Sequence, residues 1–476
     1  MTRILYWNIN NFSMNKINNL TSLAAFNQSL NRKSHIVNSV MGANVPDIFV
    51  VVEVYSRTQE VSTEGTVIDP TKSMGKGVLF LLDEIRAVFG NKWCVVPPLN
   101  LGSEGFQEGV AVYFDSTKVQ FTGPNFWVSD NEGIVRSQPP HANTVGGLVS
   151  YGAIWKNCLP YANNPLQELK NERTTRFTYN GNNYDVPEYQ LAGQCEYYTG
   201  GVYPQVPTPR LWPFPNRIFF PYMYNRGPFY TKFADLTTPA NNRRTLKLFA
   251  VHTSPATAAD AVARLAQVYE IMNINAGEVS VVLGDFNVDT FTGLARYAPL
   301  EANYTMALNP RDGGGAPNPA RRPYCLTHLL PTDKAYPYNN NGVQADPQHN
   351  VYPRYGYMGN MGGVNFQTPV HTGSIDNVFT WYGGGAAVGP AQNISVVNTV
   401  VGKPYNAVPG PQGVTAELTG GLAYNSSLAN PLTMPTANPA THGGVDPNGN
   451  IGTFQGWNNF GVIHSVSDHL ALIIDV

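Results

Sequence analysis

The chain has 476 residues, 42% of them hydrophobic and only 13% charged, with a formal net charge of -2 at pH 7. A typical soluble chain carries about 25% charged residues, so this balance excludes a global basic field that would draw in a polyanion. With 45 Gly, 37 Pro and 26 Tyr, the composition argues for long ordered loops and against a helical bundle.

Apolar runs recur from end to end. In chain order they are "RILYWNI" (3–9), "DIFVVVEV" (47–54), "GVAVYF" (109–114), "TLKLFAVH" (245–252), "VSVVLGDF" (279–286), "SIDNVFTW" (374–381) and "HLALIIDV" (469–476). Each is rich in Val, Ile, Leu or Phe and bounded by Gly, Asn, Asp or Pro, which predicts buried strands. A helix is predicted within 20–42. A second is predicted over 255–275, where Val262, Leu265, Val268, Tyr269 and Met272 form one stripe. Ser254 is its expected N-cap, Pro255 its first residue and Gly277 its stop. Strands alternating with helices predict an α/β class.

Three stretches break the rhythm, at about 122–225, 290–370 and 383–460. Each separates two predicted strands. They are rich in aromatic residues, which argues for ordered insertions within one domain spanning 1–476. The cysteines, Cys94, Cys158, Cys195 and Cys325, form no short pair, so a zinc site is not expected. Disulfides, with Cys158–Cys195 as the natural staple, and four free thiols are both open. The N-terminus shows no signal-peptide pattern, and no apolar run approaches the roughly 18 residues of a membrane span. A cytoplasmic chain, a mature form and export by another route are the expectations.

The ends of the strands carry polar residues: Asn8, Glu53, Glu108, His252, Asp285, Asn287, Asp376, Asp468 and His469. One Asp after a strand ordinarily caps a turn through its own backbone. So many such residues, all attached to buried strands, call for another explanation. In "VVLGDFNVD", strand alternation predicts that Asp285 and Asn287 share a face, with Phe286 on the other.

In order, "WNINNF" (7–12), "VVVEV" (50–54), "GVAVYF" (109–114), "NRGPFYTKF" (225–233), "FAVHTSP" (249–255), "VVLGDFN" (281–287), "GSIDNVF" (373–379) and "SDHLAL" (467–472) resemble the endonuclease/exonuclease/phosphatase superfamily. "FQEGVAVYF" and "HTSPATAADAVARLAQVYEIM" are most similar to its deoxyribonuclease I-like branch, and the toxin nucleases of the cytolethal distending type are also similar. The resemblance implies a four-layer sandwich of two mixed β-sheets flanked by helices, here with large loop insertions. It implies metal-assisted attack of water on a phosphodiester. Asn8, Glu53 and Asp468 are then the Mg²⁺ (or Mn²⁺) ligands, with Ca²⁺ as an optional structural ion. Asp285 and Asn287 position the water and hold phosphate oxygens. His252 and His469 are the acid/base and phosphate-contacting pair, oriented by Glu108 and Asp376, and Arg226 contacts phosphate. Val52 stands where the family often has Gln, and Phe106 where the nuclease branch usually has Tyr.

DNA is the expected substrate and partner. Inositol phosphates or phospholipid headgroups are the alternative, because the same catalytic set serves those branches. An inactive binding module is a third reading, disfavoured by the complete set of acids, amides and histidines. The insertions are expected to wall the cleft or to bind a partner protein. "ARRPY" (320–324) and "NRR" (242–244) are short basic clusters that ordinarily form solvated surface.

Overall fold

The computed structural model describes residues 1–55, 68–98, 100–101, 107–123, 226–239, 243–266, 268–311, 315–317, 327–328, 374–384 and 466–476. It also describes the backbone of short strands within 127–137, 174–187 and 392–406. The chain opens with β1 (Arg3–Phe12) and passes through helical segments to β2 (Ile48–Val54). The helix Ser73–Phe89 leads to β3 (Trp93–Val96), β4 (Gly109–Asp115) and β5 (Val119–Gly123). Two hairpins follow: β6 (Trp127–Ser129) with β7 (Val135–Ser137), and β8 (Thr174–Tyr179) with β9 (Asn182–Pro187). Then come β10 (Phe229–Asp235), β11 (Thr245–His252), β12 (Glu278–Asp285), β13 (Thr305–Met306) and β14 (Asp376–Tyr382). The last strands are β15 (Gln392–Asn398), β16 (Lys403–Asn406) and β17 (Leu472–Asp475).

Two sheets carry the fold. One has the order β16-β15-β17-β1-β2-β4-β3, the other β13-β14-β12-β11-β10-β5. Both are mixed: β1–β2 and β11–β12 run parallel, while β1–β17 and β12–β14 run antiparallel. The period of two decides the layering. Along β12, Val279, Val281 and Leu283 enter a core shared with the first sheet, and Val282 enters a second core on the opposite face. Val262, Leu265 and Ile271 cover that second core. On the outer side of the first sheet, Val78, Leu81, Leu82 and Ile85 of Ser73–Phe89 join the main core. Each fully buried Val or Leu stabilises the packed state by about 1.5–3 kcal/mol. Helix, sheet, sheet and helix make the expected four-layer sandwich.

The helices differ from expectation in detail. The one predicted over 255–275 runs Ala258–Leu265 and resumes as Tyr269–Met272. Thr257 precedes it, without a side-chain cap, and Ser254 and Pro255 lie in the turn before it. Val268 leaves helical geometry with ψ 122° and buries its side chain in the second core. Gly277, at φ +79°, makes the turn into β12. The helix predicted within 20–42 is Leu23–Ser34, continued by a wider π-helical stretch, His35–Met41. The helix Ser73–Phe89 was not anticipated, because Gly75 and Gly77 weaken the helical signal. Their role is close packing: a Cβ on Gly77 would lie 2.6 Å from the Met14 nitrogen, and one on Gly75 2.3 Å from the Asp69 carbonyl oxygen.

Two predicted insertions also need new boundaries. Residues 290–311 belong to the second sheet and its cover, since Leu294, Tyr297, Leu300, Tyr304 and Met306 all enter the second core. Within 383–460, β15 and β16 extend the first sheet beyond β17. Most of the three insertions, Phe106, "ARRPY" and Cys158, Cys195 and Cys325 lie outside the described residues. Cys94 is free and buried, and burial pushes its thiol up to about 11. In "NRR", Arg244 donates to Asp235 Oδ2 at 2.7 Å and to the Val476 carbonyl at 3.1 Å, which makes it structural. No helix among the described residues is long and apolar enough to cross a membrane.

Candidate active site

The parallel pairs β1–β2 and β11–β12 present their carboxyl ends at one end of the sandwich. There they place Asn8, Glu53, His252 and Asp285. Antiparallel neighbours bring their amino ends to the same place: Arg226 just before β10, Glu108 before β4, Asp376 opening β14, and Asp468 and His469 before β17. In sheets of this kind the crevice beyond the carboxyl ends of parallel strands is the usual ligand site.

Asp285 is the hub. Its Oδ1 accepts the Asn287 N–H at 2.9 Å. Its Oδ2 accepts from Asn8 Nδ2 at 3.1 Å and lies 3.5 Å from His252 Nε2 and 3.6 Å from His469 Nε2. Burial, then the nearby Asp376 charge, raises the Asp285 pKa against the pull of both imidazoles. Gly284 permits this end of the strand, since a Cβ there would sit 2.0 Å from the Val251 carbonyl oxygen. Asn287 does not continue the strand. It turns to φ +50°, and its Nδ2 donates to the Thr253 carbonyl at 2.7 Å. A turn, not strand alternation, brings Asp285 and Asn287 together.

Each histidine is backed by a carboxylate. His252 Nδ1 lies 2.6 Å from Glu108 Oε2, and His469 Nδ1 lies 2.8 Å from Asp376 Oδ2. A carboxylate in this position fixes the tautomer and leaves Nε2 facing Asp285. Arg226 Nη1 reaches the same Glu108 oxygen at 2.5 Å and lies 2.7 Å from His252 Nδ1, on the far side of the imidazole from Asp285. Burial alone would lower both histidine pKa values. Glu108 and Glu53 overcome it at His252, against Arg226, and raise that pKa. Asp376, Asp285 and Asp468 raise that of His469 well above the ordinary range. Burial opposes charge on Glu108, but His252 and Arg226 hold its carboxyl down at about 2.

The expected metal ligands sit on both sides of this hub. Asn8 Oδ1 is buried and has no hydrogen-bond partner among the described residues. Glu53 adopts φ +57°, a left-handed conformation that costs a non-glycine residue about 1–3 kcal/mol and clusters at functional sites. Its Oε2 accepts the Asn11 N–H at 3.1 Å, and its Oε1 lies 3.6 Å from His252 Nε2. Burial, then Glu108 and Asp468, raises the Glu53 pKa. Asp468 Oδ1 accepts from Asn10 Nδ2 at 2.9 Å. Although burial opposes its charge, His328 and His469 hold the Asp468 carboxyl far below the usual range. Glu53 falls with Glu108 and His252 in one potential ligand group, Asp468 with His328 and His469 in another. An orphaned amide oxygen and two carboxylates, with no sulfur among them, are donors of the type that suits a hard divalent cation.

No family model matches the sequence, and no curated protein matches it. Solved structures do. An endonuclease/exonuclease/phosphatase family protein from Leptotrichia buccalis is 9% identical with a TM-score of 0.38, over 100% of this chain and 99% of that one. D. rerio TDP2 complexed with a single-strand DNA product is 10% identical with a TM-score of 0.36, over 99% and 97%. A mannosyl-6-phosphatase from Bacteroides thetaiotaomicron is 9% identical with a TM-score of 0.36, over 100% and 99%.

The site also contains residues that sequence reasoning missed. Tyr6 donates its hydroxyl to Asp376 Oδ1 at 2.7 Å. Its i, i+2 relation to Asn8 along β1 was the available signal. Ser467 donates to the Asn8 carbonyl and accepts the His469 N–H at 2.8 Å, which ties β1 to the histidine. Trp7 Nε1 donates to the His469 carbonyl at 2.8 Å. His328, from the predicted insertion 290–370, bridges His469 through the backbone, with ring centroids 4.9 Å apart. Nothing local in "CLTHLL" marked it.

Proposed function

We propose that the chain is a metal-dependent phosphodiester hydrolase and that its substrate is DNA. The observation that carries the hydrolase reading is Asp285 Oδ2 placed 3.5 and 3.6 Å from two imidazoles, each backed by its own carboxylate. The DNA reading is supported by the likeness of "FQEGVAVYF" and "HTSPATAADAVARLAQVYEIM" to the deoxyribonuclease I-like branch.

Asn8, Glu53 and Asp468 would hold Mg²⁺ or Mn²⁺, which supplies charge neutralisation at the phosphate and its leaving oxygen. The protein's own groups divide the rest. Asp285 orients the attacking water and takes its proton, with the Asn287 turn holding the carboxylate in place. Protonated His469 donates from Nε2 to a phosphate oxygen and stabilises the charge that builds there. His252 gives its Nε2 proton to the leaving oxygen as the phosphorus–oxygen bond breaks. The proton on Asp285 then returns to His252 across the 3.5 Å gap, and the site is reset. Glu108 and Arg226 tune His252, and Asp376 keeps His469 charged.

The test is cleavage of plasmid, linear and single-stranded DNA beside an inositol phosphate and a sugar phosphate, each with and without EDTA. EDTA-sensitive cutting of DNA is expected. Undiminished cleavage in excess chelator overturns the mechanism, and hydrolysis of the small phosphoesters alone overturns the substrate.

A further inference from the structure

Lys16 has no part in the hydrolysis above, yet it touches the site through Asn10. β1 loses register with β2 between Asn8 and Phe12, and Asn11 turns to φ +52° within that irregularity. Bulges beside active sites re-aim the groups they carry. Here Asn10 gains two contacts. Its Nδ2 donates to Asp468 Oδ1 at 2.9 Å, and its carbonyl accepts from the Lys16 ammonium. Lys16 belongs to the short helix Met14–Ile17. Its own carbonyl accepts from Arg32 Nη1 at 3.3 Å, which draws a second cation from the helix Leu23–Ser34 to the same place. Both side chains belong to partly buried residues.

The charge of Lys16 lacks a direct partner. Among the described residues it forms no ion pair, and the Asn10 carbonyl is the one acceptor its ammonium reaches. Lys33, next to Arg32, is matched by Glu84 at 2.8 Å. Burial lowers the Lys16 amine to about 7, and Arg32 acts in the same sense. The acids whose charge opposes this are Asp468 and Glu53. Both belong to the expected metal-ligand set, and a bound divalent cation would take up that charge. Lys16 is then a partly buried cation beside a second cation, without the counter-charge of those acids, which is a costly state. An anion would relieve it. The ammonium has three N–H donors, and Asn10 takes one, so two are left for anionic oxygens. Contacts run from Lys16 through Asn10 and Asp468 to His469, so this anion is not the phosphate held at Asp285.

We infer that Lys16, with Arg32 beside it, binds a substrate phosphate next to the scissile one, so that the site takes a chain of phosphodiesters in preference to an isolated phosphoester. The inference rests on the DNA reading above and names the part of the strand that is gripped.

Full-length chain in Mg²⁺ is titrated with nuclease-resistant phosphorothioate DNA, single- and double-stranded, over a series of salt concentrations and below the Lys16 midpoint. The slope of log affinity against log salt should be shallower in Lys16→Met than in wild type by about 0.7–0.9, the share of one phosphate contact. An equal slope in folded Lys16→Met overturns the subsite. The wild-type chain gives a second reading that stands even if Lys16→Met does not fold. A dinucleotide with a methylenephosphonate linkage should compete with DNA about tenfold better once it carries a terminal phosphate at one of its ends, as a charge-assisted contact implies. No gain from a terminal phosphate at either end overturns the subsite. Absence of any DNA binding overturns the substrate reading itself, whereas DNA binding with an unchanged slope overturns the subsite alone.

Discussion

The two histidines of the site invite comparison. Each presents Nε2 to Asp285 Oδ2, at 3.5 Å for His252 and 3.6 Å for His469, and each rests its Nδ1 on a carboxylate. What else holds that carboxylate differs. Glu108 shares one oxygen between His252 and the Arg226 cation. Asp376 gives one oxygen to His469 and the other to the neutral hydroxyl of Tyr6. A cation spends part of the carboxylate's charge and repels the imidazolium, whereas a hydroxyl does neither. The pKa of His252 is therefore raised, and that of His469 is raised much further. In the mechanism proposed above, one motif used twice serves as a proton exchanger on one side and a fixed positive charge on the other.

The largest test of this division is removal of each histidine. His252→Ala and His469→Ala should each lower turnover by about 10²–10⁴-fold, and the double variant should fall well short of additive. If the roles differ, the ionisation seen in the wild-type pH–rate profile persists in His469→Ala and vanishes in His252→Ala. Near wild-type turnover in either variant would remove that histidine from the mechanism.

Metal affinity probes the two sides next. Glu53 stands beside His252 and Asp468 beside His469. If the oxygen-donor site draws on both, Glu53→Gln and Asp468→Asn should each weaken Mg²⁺ binding by about tenfold or more, because each removes a ligand charge. Calorimetry on the metal-free chain reads this directly. Wild-type affinity in either variant places that residue outside the ligand set.

Arg226→Met removes the cation that separates the halves. His252 should become more basic, because the nearby cation opposes its protonation, and the pH–rate midpoint should move up. An unmoved or lowered midpoint would mean that Arg226 does not tune His252.

How much of this was legible in the sequence follows from the nature of each signal. The parallel strands announce themselves because they are buried on both faces, so β1, β2, β11 and β12 and the polar residues at their ends could be read directly. Glu108 and Asp376 could be matched to their histidines only through family resemblance, because partners such as His469 and Asp376 are brought together by the fold across 93 residues. The turn at Asn287 imitates strand alternation in sequence and departs from it in φ. Gly75 and Gly77 hid a helix because they serve packing against Met14 and Asp69. β15 and β16 lay within Gly- and Pro-rich sequence that reads as loop. Their pairing beyond β17 means that cutting 383–460 back to a tight turn would expose a sheet edge as well as shorten an insertion.

Stability against pH gives a smaller reading. A histidine whose native pKa is raised stabilises the fold fully below its unfolded value, about 6.5, and loses that contribution as pH rises through the native value. Lys16, lowered to about 7 by burial, works in the opposite sense above that pH. The difference in Tm between wild type and His469→Gln removes the lysine from the comparison. In metal-free protein this difference should shrink as pH rises from about 6.5. A difference that stays constant or grows would contradict a raised His469.

The smallest expected effect belongs to Tyr6→Phe, which serves as the counterpart of Arg226→Met. The substitution deletes only the hydroxyl that donates to Asp376 Oδ1 at 2.7 Å. Asp376 is fully buried, so the lost donor should cost about 1–3 kcal/mol of stability, seen as a lower Tm. Its effect on protonation should be slight. The hydroxyl carries no net charge, and His469 remains hydrogen-bonded to the other oxygen of the same carboxylate. Both substitutions leave a carboxylate with one fewer donor, but only Arg226→Met also removes a cation beside the imidazole. The pH–rate midpoint should therefore move less in Tyr6→Phe than in Arg226→Met. If Tyr6→Phe moves it further, hydrogen-bond count rather than charge sets the two histidines apart, and the division of labour between them must be drawn differently.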